Sequence, residues 1–188
     1  VVDVLEYASV NAEPVSVDGK AYRGSIILKK DSNGLLTVIN RVDMEDYITA
    51  VTAVEMSPSW HIEALKVQAV CARTYAMRNM NKHSKYGFDL CSSVDCQAYK
   101  GVSAESDTTR QAAMETAGQY MTYDGQIIEA VYSATSGGYT EDVKNVWGSN
   151  LPYLAAAEDI YESKAAYGST WSKTISVEKA TEIMNSKG

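Results

Sequence analysis

The chain has 188 residues, 45% of them apolar, enough to bury a core and ordinary for one globular domain with two lobes at most. Its net charge of −7 and its 17 scattered Lys and Arg exclude a phosphate-neutralising surface, so no nucleic acid is expected as partner. No run approaches the ~18 apolar residues of a membrane span and no basic-then-apolar signal opens the chain, so membrane attachment is expected only through a segment absent from this sequence.

Over residues 22–42 the alternation in Ser25-Ile26-Ile27-Leu28 and in Leu35-Leu36-Thr37-Val38-Ile39, broken by Asn33-Gly34, predicts a hairpin. Asp43 is a good N-cap, and Met44, Tyr47, Ile48, Val51 and Val54 then recur at helical spacing up to Glu55. Ser57-Pro58 reads as the N-cap and first position of a second helix running to about Met80. In that helix Leu65, Ala69, Ala72 and Ala76 form one apolar stripe, and Ala64, Val67 and Cys71 extend it, so burial on most faces is expected. Lys66 and Arg73 fall within about 20° of each other on the same helix, and two cations on a buried helix demand a partner. They either pair with acids such as Glu45 or Asp46 or form an anion or sugar subsite near Glu55, with Tyr75 on the nearly opposite face.

Of the three cysteines, Cys71 lies among apolar helical residues and reads as core. Cys91 and Cys96 flank a polar loop as C-x4-C, a spacing that can close a disulfide or give two zinc ligands with His83 as a third. A third helix opens at Ser103 or Asp107, runs to Ala117 and is closed by Gly118. Asp124-Gly125 then joins strands over residues 119–123 and 126–132. Residues 133–138, Ser-Ala-Thr-Ser-Gly-Gly, break regular structure and let a ligand approach the backbone. Beyond Trp147 and Pro152-Tyr153 the chain is loop-rich until a short helix near residues 177–185.

Nucleophilic proteolysis needs a histidine beside a nucleophile motif, and neither His61 nor His83 has one; phosphate-binding glycine loops are absent as well. What remains is Glu55 in the apolar run Val54-Glu55-Met56, either a solvated helix-end carboxylate or a general acid. Burial would hold it protonated, whereas a nearby cation would favour its anion. The 13 Tyr and three Trp against one Phe supply the amphipathic rings that carbohydrate sites use, and protein-binding faces too.

The stretch over residues 42–76, with Glu55-Met56-Ser57-Pro58-Ser59-Trp60 and Ala64-Leu65-Lys66-Val67-Gln68-Ala69-Val70-Cys71-Ala72-Arg73-Thr74-Tyr75-Ala76, resembles the stage II sporulation protein D family of peptidoglycan lytic transglycosylases. Three further blocks match in order: Cys96-Gln97-Ala98-Tyr99-Lys100-Gly101, the segment from Tyr132 through Gly138 to Glu141, and Val146-Trp147-Gly148 with Leu151-Pro152-Tyr153-Leu154. The resemblance covers residues 22–175 and implies one catalytic domain over residues 1–188. Its fold would be α+β, a single mixed domain of two lobes with a buried central helix and β-hairpins flanking a glycan groove.

By the same resemblance Glu55 is the single acid and base that cleaves the N-acetylmuramic acid to N-acetylglucosamine bond, leaving an anhydro-sugar end, so the usual second carboxylate is not needed. It places Lys66, Arg73, Tyr75, Gln97, Tyr99, Ser133, Ser136, Gly137 and Gly138 around the groove. No cofactor is required for that chemistry. A structural zinc at Cys91, Cys96 and His83 would organise the loop before Gln97, where many relatives carry other small or polar residues; a disulfide and free thiols are the alternatives. The implied partners are glycan strands stripped of stem peptides and a cell-wall amidase of forespore engulfment. The implied location is extracytoplasmic, membrane-anchored in the full-length protein, facing the wall between mother cell and forespore. A domain that only binds glycan and enhances an amidase is the competing reading, and a purely structural role in a sporulation complex is a third.

Overall fold

The computed structural model describes residues 4–8, 13–30, 33–162 and 172–186, and the chain divides into two compact units, Val1–Tyr132 and Ser133–Gly188. Both helices and sheets are present, as an α+β chain requires.

The first unit opens with strands β1 (Val4–Ala8), β2 (Val15–Val17), β3 (Lys20–Tyr22), β4 (Ser25–Lys30) and β5 (Leu36–Arg41). β4 and β5 are the predicted hairpin, antiparallel with Ile27 opposite Ile39, and β1 adds to the other edge of β4. β2 and β3 pair separately across Asp18 and Gly19, both at positive φ. Gly24, at φ +76°, lets the chain turn from β3 into β4 so closely that a Cβ there would stand 2.1 Å from the Arg41 carbonyl oxygen.

Helix α1 (Met44–Glu55) starts where predicted: the Asp43 side chain accepts the Glu45 N–H at 2.9 Å, and Glu45 and Asp46 lie in the first turn, where the helix dipole favours acids. Helix α2 (Ile62–Arg78) starts four residues later than the Ser57-Pro58 signal suggests. Ser57 is spent on a tight turn, its carbonyl accepting the Trp60 N–H at 3.0 Å and its hydroxyl pairing with Ser59 at 2.9 Å. The cap is His61, whose Nδ1 accepts the Glu63 N–H at 3.2 Å.

The predicted stripe of Leu65, Ala69, Ala72 and Ala76 is completely buried and most of the remaining helix is partly covered as expected, but Val67 does not extend the stripe. Val67 is 65% exposed, because α1 and helix α3 (Asp107–Glu115) cover only part of the cylinder. α3 begins at a capping box between Ser106 and Thr109. Tyr47, Ile48 and Val51 of α1 pack with Ala69, Ala72, Ala76 and Ala113, and the alanines allow close helix approach. Glu105 accepts hydrogen bonds from both Arg23 and Arg110, tying the β3–β4 corner to α3. β6 (Thr122–Tyr123) and β7 (Gln126–Ile127) form the predicted hairpin across Asp124 and Gly125, both at positive φ, though the pairing is much shorter than expected.

In the second unit, helix α4 (Val143–Trp147) is capped by Asp142 and stopped by Gly148 at φ +74°; the sequence reading did not foresee it. Tyr139 bridges to Glu158, and helix α5 (Val177–Asn185) lies where predicted. No helix among the described residues is long and apolar enough to cross a membrane.

Candidate active site and metal cluster

α1 carries Glu55 out to its last residue, where the side chain is exposed. Its carboxylate forms no hydrogen bond or ion pair among the described residues. The position is a poor one for a purely structural anion, since the C-terminal end of a helix dipole disfavours negative charge and the last turn holds no cation.

The neighbour that Glu55 acts on is Tyr132, a residue not singled out from the sequence. Burial, together with the negative charge of Glu55, pushes the Tyr132 hydroxyl up to about 12, so the phenol is neutral at ordinary pH. Its oxygen accepts a hydrogen bond from Gln97 Nε2 at 3.2 Å. Gln97 is 2% exposed and fully committed: its second Nε2 proton goes to the Ala72 carbonyl at 3.2 Å and its Oε1 accepts from the Tyr47 hydroxyl at 3.2 Å. Gln97 therefore holds Tyr132 in place, its amide spent on protein partners.

Arg73 is likewise spent on protein partners. Its side chain is 1% exposed, its Nε donates to Glu45 Oε1 at 3.0 Å, and its other nitrogens donate to the Ala113 and Gln119 carbonyls. This is the Glu45 ion pair anticipated as the plain alternative, a buried clasp between α1, α2 and the end of α3. Lys66 lies on the same face and pairs with Glu63 and Glu115, both at 2.8 Å. The cationic stripe thus faces α3, with both cations paired to carboxylates. Tyr99 also leaves the site: its hydroxyl donates to Asn40 Oδ1 at 2.7 Å and its ring packs 5.1 Å from that of Tyr47. Tyr75, opposite the stripe, is half-buried and itself acts on Tyr132, and burial raises its hydroxyl above the usual tyrosine range.

A concavity of about 970 Å³ lies at the other end of α1, lined by Met44, Tyr47, Ile39, Phe88 and Leu90. Glu55 is about 16 Å from Met44 along the helix axis and does not line it.

Ser133, Ser136, Gly137 and Gly138 belong to the second unit, where two acids anchor their loop. The Ser136 N–H and hydroxyl donate to Glu162 Oε2 at 3.0 and 2.8 Å, and the same hydroxyl reaches Asp159 at 2.9 Å. Asp159 N–H donates to the Gly138 carbonyl at 3.0 Å, and Ser133 donates to the Thr135 carbonyl at 3.3 Å. The Thr135 and Ser136 hydrogen bonds hold Glu162 below the usual carboxylate range.

His83, Cys91 and Cys96 come together as predicted, joined by Asp95, which the sequence reading missed although it directly precedes Cys96. One ligand atom from each lies within 4.8 Å of all the others. His83 Nε2 is 3.3 Å from Cys96 Sγ and 3.3 Å from Asp95 Oδ2, and Cys91 Sγ is 3.9 Å from Asp95 Oδ2. Tetrahedral zinc with ordinary bond lengths has ligand–ligand edges of about 3.3–3.8 Å; the two edges from His83 Nε2 match this, and the set as a whole, within 4.8 Å, would contract by at most about 1 Å to hold one. Cys91 and Cys96 are unbridged thiols. The Phe88 ring stacks 5.3 Å from His83 and fixes its plane.

The family model described as stage II sporulation protein matches residues 32–123, the stretch holding Glu55, α2, the thiol cluster and α3. The chain is 38% identical over 140 residues to an uncharacterized protein of Brachyspira hyodysenteriae, covering 74% of this chain and 38% of that protein. It is 37% identical over 160 residues to the amidase enhancer of Bacillus subtilis, covering 85% of this chain and 22% of the relative. It is 32% identical over 180 residues to stage II sporulation protein D of Bacillus subtilis, covering 84% and 52%. The chain therefore spans between about a fifth and about half the length of these curated relatives.

Proposed function

The chain belongs to the stage II sporulation protein D family, and from that premise we propose that it works on the bacterial cell wall as a peptidoglycan lytic transglycosylase with Glu55 as acid and base. What supports this most directly is Glu55 itself, an exposed and unpartnered carboxylate at a helix end that disfavours it, beside a neutral Tyr132. Protonated Glu55 gives its proton to the glycosidic oxygen as the bond to the muramic C1 breaks, and the N-acetylglucosamine end leaves as an alcohol. The resulting carboxylate then takes the proton of the muramic C6 hydroxyl as that oxygen bonds to C1. Glu55 is restored, no water is consumed, and an anhydro end is left.

The substrate in this reading is glycan stripped of stem peptides, and the setting is the extracytoplasmic face of a sporulating cell. Glu55→Gln tests it: anhydro-muramyl products read by mass spectrometry should fall at least ~10²-fold, the usual worth of a general acid or base. Wild-type-like product release from that variant would remove Glu55 from the mechanism.

Zinc, held by His83, Cys91 and Cys96 with Asp95, would fix the loop leading into Gln97 and perform no step of the cleavage. Metal analysis of the purified protein is expected to find about one zinc per chain, lost in Cys91→Ser and Cys96→Ser. Metal content unchanged by either substitution would rule those ligands out.

A second reading, a glycan-binding enhancer of an amidase, is favoured by the likeness to the Bacillus subtilis amidase enhancer over 85% of this chain. It predicts no anhydro products from wild type and faster cleavage by a cell-wall amidase when the protein is added.

A further inference from the structure

The face of α2 turned away from Lys66 and Arg73 carries Gln68, Cys71 and Tyr75. Gln68 and Tyr75 fall within about 20° of each other, with Cys71 about 60° from Gln68. Cys71 and Tyr75 act on the Tyr132 hydroxyl, and so does Glu55, so this face borders the Glu55 end of α1. Gln68 stands one turn nearer than Cys71 to the end of α2 that the 56–61 connection joins to Glu55.

Gln68 Nε2 is buried and has no hydrogen-bond partner among the described residues, and the same is true of Thr52 Oγ1, three residues before Glu55 on α1. Buried amide donors are almost always paired, and an unpaired one lowers stability. Such costs persist where the open group is used, because activity and stability trade against each other at working sites. Gln97 shows the contrast: every polar position of its amide is filled. On α1 both Thr52 Oγ1 and, at the last residue, the Glu55 carboxylate take no hydrogen bond among the described residues, and of the two it is the carboxylate that would carry charge.

We propose that Gln68 is a positioning residue for Glu55, its amide N–H closing onto the carboxylate when a glycan strand seats at the end of α1. This rests on the transglycosylase reading. A hydrogen bond to a carboxylate favours its charged form, so Gln68 acts once Glu55 has delivered its proton and charge has developed on it. Cys71, Tyr75 and Tyr132 also face this region, and burial raises all three, keeping them neutral at ordinary pH. Lys82, Glu129, Asp95 and Cys96 lie around Tyr75 and form the outer ring of charge.

Gln68→Met keeps the volume and removes the donor. With stripped glycan strands kcat should fall about tenfold or more while KM stays within about twofold, the pattern of an interaction made only in the transition state. The alkaline limb of the pH profile should move to higher pH, since Glu55 loses a donor that favours its anion. Thermal unfolding should be unchanged or occur at higher temperature, because an unpaired buried donor has gone; Gln68→Asn is expected to recover part of the rate. Lower activity with an unmoved limb and earlier unfolding would make Gln68 a packing residue and overturn the proposal. If wild type forms no anhydro product, the transglycosylase reading fails instead. Gln68 is then decided by carbon NMR titration of the Glu55 carboxyl with an N-acetylglucosamine oligomer bound: an ionisation that does not move between wild type and Gln68→Met overturns the proposal.

Discussion

Glu45 and Glu55 sit on the same helix and show what decides the use of a carboxylate. Glu45, in the first turn, is favoured by the helix dipole and accepts from the buried Arg73 guanidinium and from the Gly118 N–H at 3.3 Å. Glu55, at the last residue, is disfavoured by the dipole and has no hydrogen-bond or ion-pair partner among the described residues. The two should therefore respond oppositely to substitution. Arg73→Ala takes the guanidinium away from Glu45, leaving it the Gly118 N–H, removes a donor from the Ala113 and Gln119 carbonyls, and should cost about 3–5 kcal/mol in urea unfolding. Glu55→Gln should leave the unfolding midpoint within about 0.5 kcal/mol of wild type while abolishing anhydro product. Equal losses of stability in both variants would mean that Glu55 is structural. Glu55 was legible in the sequence as a suspicious carboxylate, whereas Tyr132 and Gln68 were not, because what marks them is an unspent or uncommitted polar atom in three dimensions.

At the scale of elements, caps and turns behaved as their residues dictate wherever the signal was local. Asp43, Ser106, Asn33-Gly34 and Asp124-Gly125 stand where helices start or chains reverse. The Ser57-Pro58 signal failed because Ser57 closes its own turn and His61 supplies the cap. Gly24 is the clearest glycine requirement: Gly24→Ala combines a strained φ with contact on the Arg41 carbonyl, and should cost at least ~1 kcal/mol of stability, read by denaturant unfolding. The loop over residues 133–138 depends on a carboxylate whose folded-state ionisation is depressed. Its anchoring is thus full above the ordinary carboxylate range and is lost as pH falls through the depressed value. Amide protection at Ser136 should drop on acidification below that range, and Glu162→Gln should lower it already at neutral pH. Protection that is the same in both would show that the loop is held by something other than Glu162.

At the scale of the whole molecule the His83–Cys96 segment is one that hydrophobic burial does little to secure, since most of residues 81–95 are exposed. A zinc there would do for this segment what a core does elsewhere, because site assembly and folding share one free energy. Stripping metal with a chelator should lower the melting temperature and raise amide exchange over residues 82–97 before it affects α1 or α3. An apo protein with unchanged melting and exchange would show that the cluster is not a fold-stabilising metal site.

The order of blocks along the chain, the α+β character, the helix carrying Glu55, the apolar stripe of α2 and the thiol-histidine grouping were all readable from sequence, because each depends on spacing within one segment or on matched motifs. Tertiary structure alone decided which face of α2 meets solvent, that Lys66 and Arg73 are spent on Glu115 and Glu45, that Gln97 and Tyr99 are packed rather than presented, and that Tyr132 stands by Glu55. The reason is physical: a charge or an amide is free or committed only according to partners that lie many residues away, and periodicity carries no record of them.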